Sequence, residues 1–135
     1  MTNTIYALTG FIAWALLLLL LMEVIRTYLV MTGKVAANGF RPDNAGLSPF
    51  MQRLARAHAN CVESLPIFGG LLAVAIMTSK TNITDSLAFW FLGARIVQSA
   101  FHLISTKSIF VSLRFAAFAV QMAIGIYWTW KLLTA

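Results

Sequence analysis

Arg53-Leu54-Ala55-Arg56-Ala57-His58-Ala59-Asn60-Cys61-Val62-Glu63-Ser64-Leu65-Pro66-Ile67-Phe68 opens a stretch that runs on, without a charge, to Met77. A spanning helix needs about 20 largely apolar residues. The stretch from Phe50 to Met77 is long enough, with a charged first half and an apolar second half from Leu65 onward. At about 100° per residue, Arg53, Arg56, Asn60 and Glu63 fall within a stripe of roughly 80°, and His58 lies on the other side. Ionisable side chains inside a bilayer each cost about 2.5–3.5 kcal/mol on insertion scales. A stripe of them on a spanning helix must therefore face a partner or a polar cavity.

Working outward, three more segments have the length and character of spans. The expected helices are residues 5–31, 50–77, 86–104 and 109–133. The first is read as a retained transmembrane helix and not a signal peptide. It has no basic n-region, its apolar run from Ile5 to Met22 is long, and no small-x-small cleavage site follows. A polar loop from Thr32 to Pro49 carries Gly33, Asn38, Gly39, Pro42, Asp43, Asn44 and Gly46, which is turn chemistry. The turns Thr78–Asp85 and Ser105–Ser108 are short. The loop side of the chain has Lys34, Arg41, Arg53 and Lys107, against Lys80 and Lys131 on the other. That bias places the long loop in the cytoplasm and both termini outside. The fold expected is an all-α four-helix transmembrane bundle in one domain over residues 1–135.

Composition agrees. Of 135 residues 60 % are hydrophobic and 10 % charged, against roughly 45–50 % and about 25 % in soluble proteins. A soluble enzyme, a disordered chain and a disulfide scaffold are excluded. The net charge of +6 raises nucleic acid as a partner. The basic residues are sparse and set among apolar runs, so lipid headgroups or an anionic ligand fit better. Cys61 is the single cysteine, so no intrachain disulfide can form. With only His58 and His102 besides, and no cluster at ligand spacing, no metal is expected.

The other helices carry polar stripes too. The first has Glu23 and Arg26, three residues apart. The third has Arg95, Gln98 and His102 on one narrow face, and the fourth has Arg114 and Gln121 with Phe118 and Gly125. Arg26, Arg53, Arg56, Arg95 and Arg114 face only Glu23 and Glu63, a surplus of three positive charges. Glu23–Arg26 reads as a structural or snorkelling pair and Glu63–Arg95 as an interhelical bridge. No carboxylate is left for Arg56 and Arg114. An arginine surplus of this kind suits a ligand with several carboxylates or phosphates. His58 reads as an interface residue; His102 can serve the fold or the ligand. Trp128 and Trp130 read as an interfacial belt.

The pattern Arg-x-x-Arg-Ala-His-x-Asn-x-x-Glu, followed by Pro66 and an aromatic, resembles the signature of the MAPEG family, the membrane-associated proteins in eicosanoid and glutathione metabolism. The resemblance extends over the whole chain, through Lys34-Val35-Ala36-Ala37-Asn38 in the first loop, Arg95 in the third helix and Arg114 early in the fourth. It implies a homotrimer in the lipid bilayer, with glutathione as co-substrate between neighbouring subunits, open to the cytoplasm. It implies transferase or peroxidase chemistry on lipophilic small molecules, and in a bacterium the inner or plasma membrane. Position by position it implies Arg56, Asn60 and Glu63 as glutathione-binding residues, and Gln98 and His102 are expected to line the same site. Glu63 is matched either to the glutathione ammonium or to the bridge with Arg95. It implies Arg114 as the residue beside the thiolate, where a guanidinium lowers the thiol pKa. Pro66 deprives the Val62 carbonyl of its donor and is expected to bend the second helix beneath the site.

The chain departs from several members at Ala59, Gln98, His102 and Phe118, where they carry arginine, histidine, tyrosine and tyrosine. Those departures favour an alternative, a non-catalytic member that holds a lipid or a partner protein in the same cleft. A channel or transporter fits less well, because the chain lacks broken helices in matched halves.

Overall fold

The computed structural model describes all 135 residues as four antiparallel helices. They are α1 (Asn3–Met31), α2 (Pro49–Met77), α3 (Thr81–Ile104) and α4 (Ser108–Thr134). All four are long and apolar enough to cross a membrane. The large apolar residues that remain exposed, such as Leu16, Leu17, Trp90 and Ile126, are what a bilayer rather than water would cover.

Each start has a local reason. Thr2 caps α1 by accepting from the Ile5 amide. Ser48 caps α2 in the same way through the Met51 amide, and Pro49 follows in the first turn, where a missing N–H is harmless. Helix α3 begins at Thr81 rather than at Ser86. The polar residues that read as a turn form its first turn because α1 satisfies them. The Asp85 carboxylate accepts from the Thr4 backbone N–H at 2.9 Å and from its hydroxyl at 2.5 Å. The hydroxyls of Thr4 and Thr84 also meet, both fully buried.

The break expected at Pro66 takes the form of a π-turn. Helix α2 is α-helical over Pro49–Ser64, π-helical over Leu65–Gly69 and α-helical again over Gly70–Met77. The wider turn accommodates a residue with no N–H inside a span, where an unsatisfied carbonyl is costly.

Helix α3 packs along both α4 and α1, and α2 lies across α1 and α3. Two apolar clusters result. Near the ends that carry Thr4 and Asp85, Phe91 stacks with Phe11 at 5.7 Å between ring centroids, and lies against Phe68 at 5.0 Å and Trp128 at 5.6 Å. Toward the loop end, Leu18 and Met22 of α1 pack on Met51, Leu54 and Cys61 of α2.

The loop between α1 and α2 is clasped to the bundle by one residue. Asn44 is fully buried with φ 57°, a left-handed conformation that asparagine tolerates. Its carbonyl oxygen accepts from Arg26 Nη2 at 2.6 Å and Nε at 3.1 Å, while its Nδ2 donates to the Met51 carbonyl at 2.7 Å. The expected Glu23–Arg26 pair is present at 3.1 Å, and the same guanidinium also holds the loop. Asn44→Ala should therefore cost about 1–3 kcal/mol. Thermal unfolding would read the cost, and limited proteolysis should cut the loop sooner than in the wild type.

Candidate functional site

The antiparallel order of the helices gathers the polar stripes of α2, α3 and α4 into one half of the bundle. That half contains the start of α2, the end of α3 and the start of α4, on the side of the long loop. Arg95 lies at its centre and is fully buried. Its Nη1 donates to Asn60 Oδ1 at 2.6 Å, its Nη2 to Ser64 Oγ at 3.0 Å, and its Nε to Gln121 Oε1 at 2.9 Å. One guanidinium thus ties α2, α3 and α4 together. It also lies over the rings of Phe11 at 5.6 Å and Phe118 at 5.9 Å, which adds α1. Gln98 is buried as well, with both ends of its amide engaged. It accepts from Gln121 Nε2 at 2.7 Å and donates to Asn60 Oδ1 at 3.1 Å.

The expected Glu63–Arg95 bridge does not form within the chain, where Arg26–Glu23 is the sole ion pair. The face of α2 turned to Arg95 is the one shared by Asn60 and Ser64, one helical turn apart. Glu63 is rotated off that face and exposed. Neutral oxygens take the arginine's donors without a second ion being drawn from water into the interior, a cost that often exceeds the Coulomb gain.

Arg56 is exposed and Arg114 half-buried, and neither has an ionic partner in the chain. With Arg53 they are the three cations left over by the charge count. Arg53, by contrast, donates from Nε to the Leu103 carbonyl at 2.9 Å. It therefore closes the last turn of α3, where a positive charge is favoured. His102 lies in that last turn. Its Nδ1 is buried without a hydrogen-bond partner. Around Arg56, Asn60, Glu63, His102 and Arg114 there are thus two free guanidiniums, an unpaired ring nitrogen and one exposed carboxylate. No three histidine, cysteine, aspartate or glutamate side chains gather as a metal site.

Beside this polar region an apolar groove of about 570 Å³ runs between the second half of α2 and α4. Ser64 and Phe118 lie at its polar end, and Ile126, Trp130 and Leu133 farther along. Its wall is close: a Cβ on Gly125 would stand 2.8 Å from the Phe68 ring.

Of the residues expected from sequence, Asn60 and Gln98 join the Arg95 network and Arg56, Glu63, His102 and Arg114 stand outside it; sequence reasoning misses Ser64 and leaves Gln121 without a role. Gln121 carries a usable signal, because it lies seven residues after Arg114 on the same face of a spanning helix. Ser64 carries none, since a serine in an apolar helix can bond its own backbone.

Compared with known proteins, residues 4–134 match the sequence model of the MAPEG family. No curated protein and no solved structure matches the chain.

Proposed function

The chain belongs to the MAPEG family, and we propose that it is a glutathione-dependent membrane transferase, with peroxidase chemistry open to the same thiolate. The observation that carries this reading is the pair of unpartnered arginines, Arg56 and Arg114, in the same half of the bundle as Asn60 and the exposed Glu63. Glutathione is complementary to that set. It has two carboxylates for guanidiniums and an amide donor, an ammonium for Glu63, and a thiol.

Arg114 is the catalytic residue in this reading. A guanidinium stays protonated at any working pH, so it acts as a fixed charge and not as a base. Beside the thiol it favours the thiolate, and the proton leaves to solvent. The thiolate sulfur then attacks the electrophilic carbon of a lipophilic substrate, a C–S bond forms, and the leaving group departs with the electron pair of the broken bond. With a hydroperoxide the sulfur attacks the outer oxygen, the O–O bond breaks and the alcohol leaves with a proton from solvent; a second glutathione then reduces the resulting sulfenic acid, giving glutathione disulfide and water. The electrophile reaches the sulfur from the bilayer along the apolar groove, whose polar end carries Phe118, one turn after Arg114. A homotrimer would close the outer side of the site, with Arg56 and Glu63 turned to a neighbouring subunit and the long loop in the cytoplasm.

A second reading rests on Phe118, which offers no hydroxyl to a thiolate and whose ring packs on Arg95 and, edge-on at 6.4 Å, on Phe68. In that reading the same cleft holds a lipid or a protein without turnover. Titration of the detergent-solubilised protein with reduced glutathione separates the two. Saturable binding with a rise in thiolate absorbance and a higher melting temperature is expected for the enzyme. No binding at millimolar glutathione in an intact oligomer would replace it with the second reading.

A further inference from the structure

The buried amides form a directed circuit, and Arg95 sets its direction. A guanidinium has only donors, so each atom it touches must be an acceptor. This fixes Oδ1 of Asn60, Oγ of Ser64 and Oε1 of Gln121 toward it. With its oxygen so held, Gln121 must present Nε2 to Gln98, whose Oε1 accepts at 2.7 Å. Gln98 then has only Nε2 to offer, and it donates to Asn60 Oδ1 at 3.1 Å. Both branches end on the same oxygen. The Asn60 carbonyl therefore accepts twice, and its Nδ2, with two N–H donors, has no acceptor in the chain.

Asn60 is half-buried, one turn from Arg56 and close to a turn from Glu63 on the outward side of α2. From these contacts we infer that Arg95, Gln121 and Gln98 are positioning residues that lock the Asn60 amide with its NH2 outward, so that Asn60 meets the ligand only as a donor, to a carboxylate or carbonyl oxygen. The inference rests on the glutathione reading above and adds to it. Gln98 acts on the ligand through Asn60 rather than by contact, and Gln121 belongs to the same device. A free asparagine presents oxygen or NH2 with similar ease. Here the wrong orientation would set an NH2 against the donors of Arg95 and leave the buried Gln98 N–H without an acceptor, a penalty of the kind that makes buried networks specify one arrangement.

Asn60→Asp is the decisive variant, because it keeps the inward oxygen and replaces the outward donor with an acceptor. It also sets a carboxylate beside the buried Arg95, so the ligand-free melting temperature is read alongside to show that the fold is kept. Glutathione affinity should fall about a hundredfold or more, as a charge-assisted hydrogen bond is lost and a repulsion appears. A purely structural role for Asn60 predicts the opposite for binding, and an undiminished affinity would overturn the inference. Arg95→Lys and Arg95→Gln form the second test. Lysine is also donor-only and should keep affinity within about tenfold of wild type, whereas a glutamine can accept as well as donate and frees the Asn60 amide to turn. Both should lower the melting temperature, so the orientation effect is read in affinity alone. Equal affinity in the two would overturn the inference, and Asn60→Asp decides it if neither arginine variant folds. Wild-type protein that does not bind glutathione would remove the functional reading and this inference together. Wild-type binding with an unaffected Asn60→Asp would remove this inference alone.

Discussion

Arg114→Leu is expected to lower glutathione-dependent turnover by about a hundred- to a thousandfold, the range seen when one preorganised electrostatic group is removed from a developing charge. The fold gives no reason for a parallel loss of stability. Arg114 is half-buried near the start of α4 and holds no ionic partner in the chain. Leucine in its place removes a cation from the membrane interior, where it is costly. Stability and assembly should therefore be unchanged or slightly improved. The effect belongs on the thiolate: without the guanidinium, glutathione at neutral pH is mostly thiol and attacks slowly. Two measurements check this on the same preparation, steady-state conjugation of an aryl halide and thiolate absorbance at saturating glutathione. Both should fall together, and Arg114→Lys should restore part of each, because it keeps the charge and loses the planar fork. Turnover within about threefold of wild type would take the catalytic role away from Arg114, since one hydrogen bond to an ion is worth more than that.

The parts of this molecule that follow a single physical rule are legible in its sequence. Span length and the cost of charge in lipid suffice for the four helices. Charge counting suffices for Arg56 and Arg114, which the structure leaves without ionic partners. Three features resist, each because a distant contact decides it. The start of α3 depends on Thr4, 81 residues from Asp85 in sequence, to satisfy a carboxylate that otherwise reads as turn. The π-turn at Leu65–Gly69 is one of several ways to fit a proline into a span, and the choice among them is made by packing. The partner of Arg95 depends on a rotation of α2 by less than one residue's worth of turn. Pairing by charge selects Glu63, while the observed rotation presents Asn60 and Ser64. Neutral oxygens satisfy a guanidinium as well as a carboxylate does, and charge-based reading cannot see them.

That last difference has a measurable consequence. Arg95→Leu is expected to destabilise the protein by about 3–5 kcal/mol, as loss of one member of a buried polar set typically does, while Glu63→Gln should change stability by less than about 0.5 kcal/mol, as for an exposed side chain outside any network. The argument has to meet the opposite effect, that leucine spares the desolvation of a buried cation. When a whole buried polar set is replaced by apolar residues the exchange can be neutral or favourable. A single replacement differs. It leaves Asn60, Ser64 and Gln121 in place without the donors that now satisfy them at 2.6, 3.0 and 2.9 Å. Three helices also lose their common tie at once, and interhelical hydrogen bonds in membranes are worth about 0.6–2 kcal/mol each. Unfolding of the purified protein by heat or by denaturing detergent, compared across wild type and the two variants, reads both numbers. A Glu63→Gln loss equal to that of Arg95→Leu would mean that the carboxylate supports the guanidinium after all, by a contact that a single chain does not contain. A small Glu63→Gln effect beside a large Arg95→Leu effect leaves Glu63 free of structural duty, and an exposed carboxylate without structural duty is available to a ligand's ammonium.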